Sequence, residues 1–157
     1  MNLVGNLITI VAILSAGMIY GTDACGALVM RPTWRHVDER TLVQVNGWAH
    51  YYGDRRFPIP GILSVLATVA STLVSALGGR WGAMTAGLVA TLALAVWLTI
   101  YNLVNKPINQ QFSAAAKEDR VPENARALQE RWDSVVTLRV VLQGIAVAAL
   151  CAALLLP

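Results

Sequence analysis

The sequence is poor in charge for its length. Charged residues make up 13% of the chain and hydrophobic residues 56%, whereas globular proteins carry about 25% charged residues. This balance excludes an ordinary soluble domain. Acidic residues are interleaved with the basic ones, so the net charge of +3 does not indicate nucleic-acid binding. It indicates attraction to an anionic lipid surface.

The chain also lacks the motifs of common catalytic and nucleotide-binding sites. It contains no phosphate loop, no dinucleotide-binding fingerprint, no nucleophile elbow and no Cys-x-x-Cys pair. Its two cysteines, Cys25 and Cys151, lie inside apolar runs, near the inner end of the first expected span and the outer end of the last. A disulfide between them within one chain is therefore not expected.

Four long apolar runs predict an all-α bundle of four transmembrane helices. The expected spans are about 3–30, 58–77, 81–105 and 132–155, and a helix crosses a bilayer with roughly 20 residues. With their loops, these spans fill one integral membrane domain over residues 1–157. The lipid bilayer is therefore the first expected partner.

Basic residues are concentrated in two parts of the chain. Eleven of the 12 Lys and Arg residues lie between Arg31 and Arg56 or between Lys106 and Arg139, and only Arg80 lies elsewhere. Cytoplasmic loops of membrane proteins are enriched in Lys and Arg. The pattern predicts a bacterial-type inner (cytoplasmic) membrane protein with loops 31–57 and 106–131 in the cytosol and both termini outside.

The first and third polar segments are expected to be helical as well. Residues 37–52 have helical spacing of their apolar and aromatic side chains, which predicts an amphipathic helix at the membrane surface, ended by Gly53. The third segment is rich in Ala, Glu, Gln and Arg, and Pro122 interrupts it. This composition predicts helix extensions into the cytosol.

Two charged residues lie within otherwise apolar runs, Asp23 in the first span and Arg139 at the start of the last. A carboxylate at membrane depth is costly unless it is paired, wetted or protonated, and an arginine keeps its proton at any ordinary pH. We therefore expect Asp23 and Arg139 to pair. Both are also candidate functional groups, although Asp23 at the interface has the alternative of a capping role.

The third span ends in the amide-rich segment YNLVNKPINQQF. Asn102, Asn105 and Asn109 are spaced by three and four residues, which predicts that they lie on one side of a helix. Pro107 is expected to kink or restart that helix. Either the amides form the polar wall of a cavity, or they end the helix with Asn105 capping a new segment.

The chain has only two histidines, His36 and His50. Each is followed at helical spacing by a carboxylate, but zinc and iron normally take three or four protein ligands. We therefore expect no metal site, and a metal or haem held through His36 or His50 is kept as an alternative. Together with Asp23, His50 is a candidate acid or base.

A GxxxG motif lies in the first span, formed by Gly17 and Gly21. Small residues at this spacing let another helix approach closely. The motif predicts either packing against a helix of the same chain or a homo-oligomer formed through this face.

Three segments together resemble one family of membrane proteins. SAGMIYGTDACGALVMRPTW in the first helix, YNLVNKPINQQF in the third and RWDSVVTLR in the fourth are similar to the anthrone-oxygenase-like family of small four-helix membrane proteins. The matching positions are Asn102, Asn105, Pro107, Asn109, Arg131, Trp132 and Arg139. Val136 stands where the family pattern has a histidine. If that histidine is the family's base, this member has lost it, uses His36 or His50 instead, or does different chemistry.

The resemblance implies an oxygenase that acts with molecular oxygen on a hydrophobic aromatic or polyketide-like (anthrone-type) substrate, without a known cofactor. For such a reaction we expect the three amides and Arg139 to orient the substrate, and Asp23 and His50 are the acid–base candidates. Flat aromatic side chains, Tyr101, Trp132 and Trp97, would stack on the substrate. Two alternatives belong to other classes: a non-catalytic membrane carrier or assembly subunit, and a metal- or haem-dependent oxidoreductase.

Overall fold

The computed structural model describes residues 3–157, and over this range the fold is helical without a strand. The predicted all-α class is confirmed. In chain order the elements are α1 (Leu3–Cys25), a π-helix (Gly26–Met30), α2 (Arg31–Thr33), a 3₁₀ turn (Trp34–His36), α3 (Glu39–Arg56), α4 (Pro58–Leu77), α5 (Trp81–Ile100), a second π-helix (Tyr101–Asn105), α6 (Lys106–Lys117) and α7 (Ala125–Leu155).

Four continuous helical stretches are long and apolar enough to cross a membrane. They are Leu3–His36, Pro58–Leu77, Trp81–Lys117 and Ala125–Leu155. Many large apolar side chains on these stretches are exposed, as expected where helices face lipid tails rather than water. The chain is therefore a multi-pass membrane protein associated with a lipid bilayer.

The first polar segment forms α3, as predicted. Asp38 caps this helix by accepting a hydrogen bond from the Thr41 backbone N–H at 2.7 Å, and that bond is the main cause that lowers the pKa of Asp38. The predicted end at Gly53 is wrong. Helical hydrogen bonding continues through this glycine, whose carbonyl accepts from the Phe57 N–H at 2.9 Å, so Asp54 lies within the last turn of α3.

Breaks in the helices occur where turn residues predict them. Gly79, between α4 and α5, has a φ of 68°, a conformation that glycine adopts without steric cost. Between α6 and α7 the backbone leaves the helical conformation over residues 118–124, which include Pro122.

The chain forms two compact units. The first comprises the described residues up to Gly21 together with Ile59–Trp97 and Val141–Pro157, and the second comprises Thr22–Pro58 and Leu98–Val140. Small side chains dominate the core of the first unit: Ala12, Ala16, Ala67, Ala90, Ala93, Leu94, Ala146 and Leu150. Small residues allow helix backbones to approach closely in a membrane.

The second unit is built around the contact between α3 and α6. The two helices approach so closely at Gly47 that an added Cβ would lie 2.4 Å from both the Ala116 Cβ and the Phe112 carbonyl oxygen. The Ser113 hydroxyl also donates to the Gly47 carbonyl at 3.2 Å. This contact places the C-terminal half of α3, with His50 and Asp54, beside α6.

The GxxxG glycines do not pack against another helix. A Cβ added at Gly17 or at Gly21 would meet no heavy atom within 4 Å. The expected packing within the chain is therefore not found among the described residues. A homo-oligomer formed through this face stays a prediction.

Candidate functional site

A cluster of polar and aromatic side chains lies within the second unit. Its members come from α1, α3, the second π-helix, α6 and α7. We call it the polar cluster, and it consists of Asp23, His50, Asp54, Tyr101, Asn105, Asn109, Trp132 and Arg139.

A buried ion pair joins two members of the polar cluster. The Arg139 Nη2 donates to the Asp23 Oδ1 at 2.8 Å, and the two side chains are only 6% and 5% exposed. The predicted pairing of Asp23 with Arg139 is confirmed. The pair is expected physically because removing one partner would leave an uncompensated charge in an apolar environment.

The Arg139 guanidinium also contacts two aromatic rings. Its Cζ lies 5.6 Å from the centroid of the Tyr101 ring and 5.5 Å from that of the Trp132 ring. These distances are within the range of cation–π attraction. The guanidinium is therefore held by one carboxylate and by the rings of two further helical segments.

A chain of three hydrogen bonds connects the remaining helices. The Tyr101 hydroxyl donates to the Asp54 Oδ1 at 2.8 Å, and the Asn109 Nδ2 donates to the same oxygen at 3.0 Å. The Trp132 Nε1 donates in turn to the Asn109 Oδ1 at 2.9 Å. One carboxylate oxygen of α3 thus ties together the second π-helix and α6, and Asn109 extends the connection to α7.

His50 packs into the polar cluster as a neutral ring. Its centroid is 5.8 Å from the Trp132 ring and 6.2 Å from the Phe112 ring. Burial lowers the pKa of His50 to about 4, with Asp54 opposing the shift and Arg139 adding to it. The His50 Nε2 is buried and has no hydrogen-bond partner among residues 3–157. The other histidine, His36, is exposed.

The Asn105 amide is buried and unpartnered. This residue is 0% exposed, and neither its Oδ1 nor its Nδ2 has a hydrogen-bond partner in the described part of the chain. A buried polar group left unsatisfied costs about 1–3 kcal/mol. Asn105 follows Tyr101 by four residues and precedes Asn109 by four, so the three share one helical face. A polar ligand group at this face would satisfy the amide.

Asn102 does not belong to this face, and the predicted single row of three amides is wrong. Its side chain is exposed and its Nδ2 donates to the Leu98 carbonyl at 2.8 Å. The cause is the π-helix Tyr101–Asn105, whose i→i+5 hydrogen bonds widen each turn. A spacing of three residues therefore no longer returns to the same side, whereas a spacing of four does.

Pro107 marks a restart of the helix, which is one of the two effects expected of this proline. It lies in the first turn of α6, where its missing N–H is tolerated. The irregularity appears before it, as the change from π-helix to α-helix at Lys106. Asn105 makes no side-chain capping bond at this junction, so the alternative of a capping asparagine is not observed.

The site residue missed by sequence reasoning is Asp54. Asp54 follows His50 by four residues, a spacing that places both on one face of a helix. The expected end of the helix at Gly53 hid this relation, because Asp54 would then lie outside the helix.

Val136, at the position where a histidine was expected, is fully buried one turn after Trp132. An apolar side chain therefore occupies that position.

Other predicted positions lie apart from the polar cluster. Trp97 belongs to the first unit, and Cys25 and Cys151 are free thiols. Among residues 3–157, no group of three or more His, Cys, Asp or Glu side chains is arranged to hold a metal ion.

The fold and the polar cluster define a multi-pass helical membrane protein with an internal polar site. Residues 48–151, about two thirds of the chain, match the family model described as anthrone oxygenase. The chain therefore belongs to the anthrone oxygenase family, and this membership indicates an oxygenase-like function. The matched range includes every member of the polar cluster except Asp23. Comparison with curated proteins and with solved structures gave no match.

Proposed function

We propose that the protein is a membrane-embedded oxygenase that converts a flat, hydrophobic anthrone-type substrate, such as a polyketide-like aromatic, into the corresponding quinone with molecular oxygen. The observation that carries the proposal is the buried, unpartnered amide of Asn105 in a cluster that also holds a guanidinium and two aromatic rings. Family membership supports the class of reaction.

The polar cluster offers the groups that such a substrate needs. Arg139 and Asn105 orient the substrate carbonyl, and the rings of Tyr101 and Trp132 stack on its flat surface. The Asp23 carboxylate holds the guanidinium through the 2.8 Å ion pair. The buried Nε2 of His50 is a further hydrogen-bond partner for the substrate.

The reaction balances without an additional reductant. Removal of a proton from the CH₂ group opposite the carbonyl leaves an anion whose charge rests largely on the carbonyl oxygen, where Arg139 and Asn105 stabilise it. This anion transfers one electron to oxygen, and the two radicals combine into a peroxide anion at the former CH₂ carbon. The peroxide takes back the proton and loses water, which leaves the new carbonyl. One oxygen atom enters the product and the other becomes water, and we propose that no cofactor takes part.

Turnover of anthrone by the purified protein in lipid nanodiscs tests the proposal. We expect oxygen uptake and anthraquinone formation above the empty-nanodisc blank. Asn105→Ala removes a group that stabilises the developing anion and should lower kcat/KM about 100-fold. The matched control Asn102→Ala should retain wild-type turnover, because the Asn102 side chain is exposed and bonded to its own helix.

Three results would contradict parts of this proposal. Wild-type protein that is no faster than the blank would refute an anthrone oxygenase. Equal activities of Asn105→Ala and wild type would refute the assigned site. Haem absorption or stoichiometric metal in the active sample would refute the cofactor-free reaction and favour the metal- or haem-dependent alternative.

A further inference from the structure

We infer that Asp54 is the proton acceptor of this site and that the Tyr101 hydroxyl relays the proton to it. The inference rests on the proposed function and adds a base to it. The sequence suggested Asp23 and His50 for this role, but the contacts within the polar cluster favour a different carboxylate.

The charges of the polar cluster separate its two carboxylates. Asp23 is neutralised by Arg139 at 2.8 Å. Asp54 makes no ion pair with a cation within residues 3–157, and its hydrogen-bond donors, Tyr101 and Asn109, are neutral. Arg139 attracts Asp54 only at longer range than an ion pair. Protonation of Asp54 therefore breaks no ion pair, which makes it the better proton acceptor of the two carboxylates.

The cations that follow Asp54 in the sequence are directed to other groups. The Arg55 Cζ lies 3.6 Å from the centroid of the Tyr51 ring, and its Nη1 donates to the Tyr51 carbonyl at 2.9 Å. The Arg56 Cζ lies 5.1 Å from the centroid of the Tyr52 ring. His50 is neutral at ordinary pH because burial lowers its pKa to about 4. None of these groups neutralises Asp54.

Tyr101 lies between Asp54 and the groups proposed to hold the substrate. Its hydroxyl donates to the Asp54 Oδ1 at 2.8 Å, its ring centroid is 5.6 Å from the Arg139 Cζ, and it shares a helical face with Asn105. A proton leaving the substrate carbon binds the Tyr101 oxygen while the tyrosine's own proton moves to Asp54. The substrate becomes an anion, Asp54 becomes a neutral acid, and Tyr101 is unchanged. The proton returns when the peroxide anion forms.

Exchange of the anthrone CH₂ hydrogens for deuterium measures this step without the oxidation. Anthrone is incubated in D₂O without oxygen, with wild-type protein in nanodiscs, and exchange is followed by NMR above the blank rate. Asp54→Asn keeps an acceptor oxygen for Tyr101 but cannot take a proton. We expect it to slow both exchange and oxygen-dependent turnover by about 100-fold or more, with KM little changed, and we expect Asp54→Glu to restore part of the rate.

Matched variants separate a proton-transfer role from a structural one. Tyr101→Phe removes the relay and should slow exchange to a similar extent, whereas Tyr52→Phe, at an exposed tyrosine, should not. Asp119→Asn alters an exposed carboxylate that pairs with Arg40 and should keep the wild-type rate. The unfolding midpoint of Asp54→Asn identifies misfolding, and a partly restored rate in Asp54→Glu at a wild-type midpoint would show that the carboxylate itself is required.

The outcomes distinguish this inference from the oxygenase proposal. Exchange that depends on Asp54 supports the inference even if no oxygen is consumed, in which case only the oxygenase proposal fails. Exchange by Asp54→Asn at the wild-type rate overturns the inference, as does oxygen uptake by wild type without exchange above the blank. A wild-type protein that shows neither activity overturns both.

Discussion

Chemically identical side chains in this protein have different surroundings, and the surroundings assign their roles. Asp23 and Asp54 are both carboxylates, yet one accepts from a guanidinium and the other from a phenol and an amide. Asn105 and Asn109 share a helical face, yet only Asn109 has hydrogen-bond partners among the described residues. The group that lacks a partner is the one available to a ligand.

The buried ion pair makes a residue-scale prediction about stability. Asp23→Asn or Arg139→Gln alone leaves one charge uncompensated at a position that is about 5% exposed, and each should cost about 3–5 kcal/mol of unfolding free energy. The double variant removes both charges and should be more stable than either single variant. Reversible unfolding in mixed detergent micelles measures all four proteins.

Activity should not follow stability in this series. The double variant lacks the guanidinium that stabilises the substrate anion, so it should remain as inactive as Arg139→Gln. Additive stability losses would show that the two side chains do not interact energetically. Recovery of turnover in the double variant would remove Arg139 from the proposed site.

At the scale of elements, two π-helices border the polar cluster. The second one, Tyr101–Asn105, supplies two of its members, and the first one, Gly26–Met30, begins with a glycine against the Trp132 ring. A Cβ added at Gly26 would lie 3.7 Å from the Trp132 Cη2. Widened helical turns occur frequently at functional sites. Here the second π-helix keeps Tyr101 and Asn105 on the face of the polar cluster and turns Asn102 away from it.

The crossing of α3 and α6 makes an element-scale prediction. Gly47→Ala would place a Cβ 2.4 Å from the Phe112 carbonyl oxygen, so the two helices must separate. We expect a loss of about 1–3 kcal/mol, seen as a lower thermal unfolding midpoint, together with weaker turnover because His50 and Asp54 shift relative to α6. The control is Gly53→Ala in the same helix, where the nearest atom is at an ordinary 3.6 Å. Equal midpoints for the two variants would contradict the close crossing.

Sequence patterns predicted the elements better than the contacts between them. The spans and α3 follow from local features, namely the length of apolar runs and helical spacing, which one segment carries by itself. The pairing of Asp23 with Arg139 was also predictable, because few partners exist for a charge in an apolar run. The role of Asp54 was not predictable, because it depends on α3 continuing through Gly53. The separation of Asn102 from Asn105 was not predictable either, because it depends on a widened helical turn that no residue pattern specifies.

At the scale of the whole molecule, charged residues are concentrated in one of the two compact units. Every Asp, Glu, Lys and Arg of the described chain belongs to the second unit except Arg80. The first unit is therefore almost without charge, as expected for protein surrounded by hydrocarbon. The charged unit also contains the polar cluster. The proposed chemistry therefore lies in the same part of the chain as the Lys and Arg residues that predict the orientation in the membrane.

Reporter fusions test the predicted orientation. Each Lys or Arg near an anionic cytoplasmic leaflet contributes about 1 kcal/mol, and the stretches Arg31–Arg56 and Lys106–Arg139 hold 11 of the 12 such residues. In a bacterial host, green fluorescent protein inserted after Arg120 should therefore fluoresce, whereas alkaline phosphatase should be active after Gly79 and after Pro157. With four spans, Gly79 and Pro157 must lie on the same side of the membrane, and Arg120 must lie on the opposite side. Disagreement between 79 and 157 would contradict the number of spans, and inversion of all three would contradict the orientation while leaving the fold unchanged.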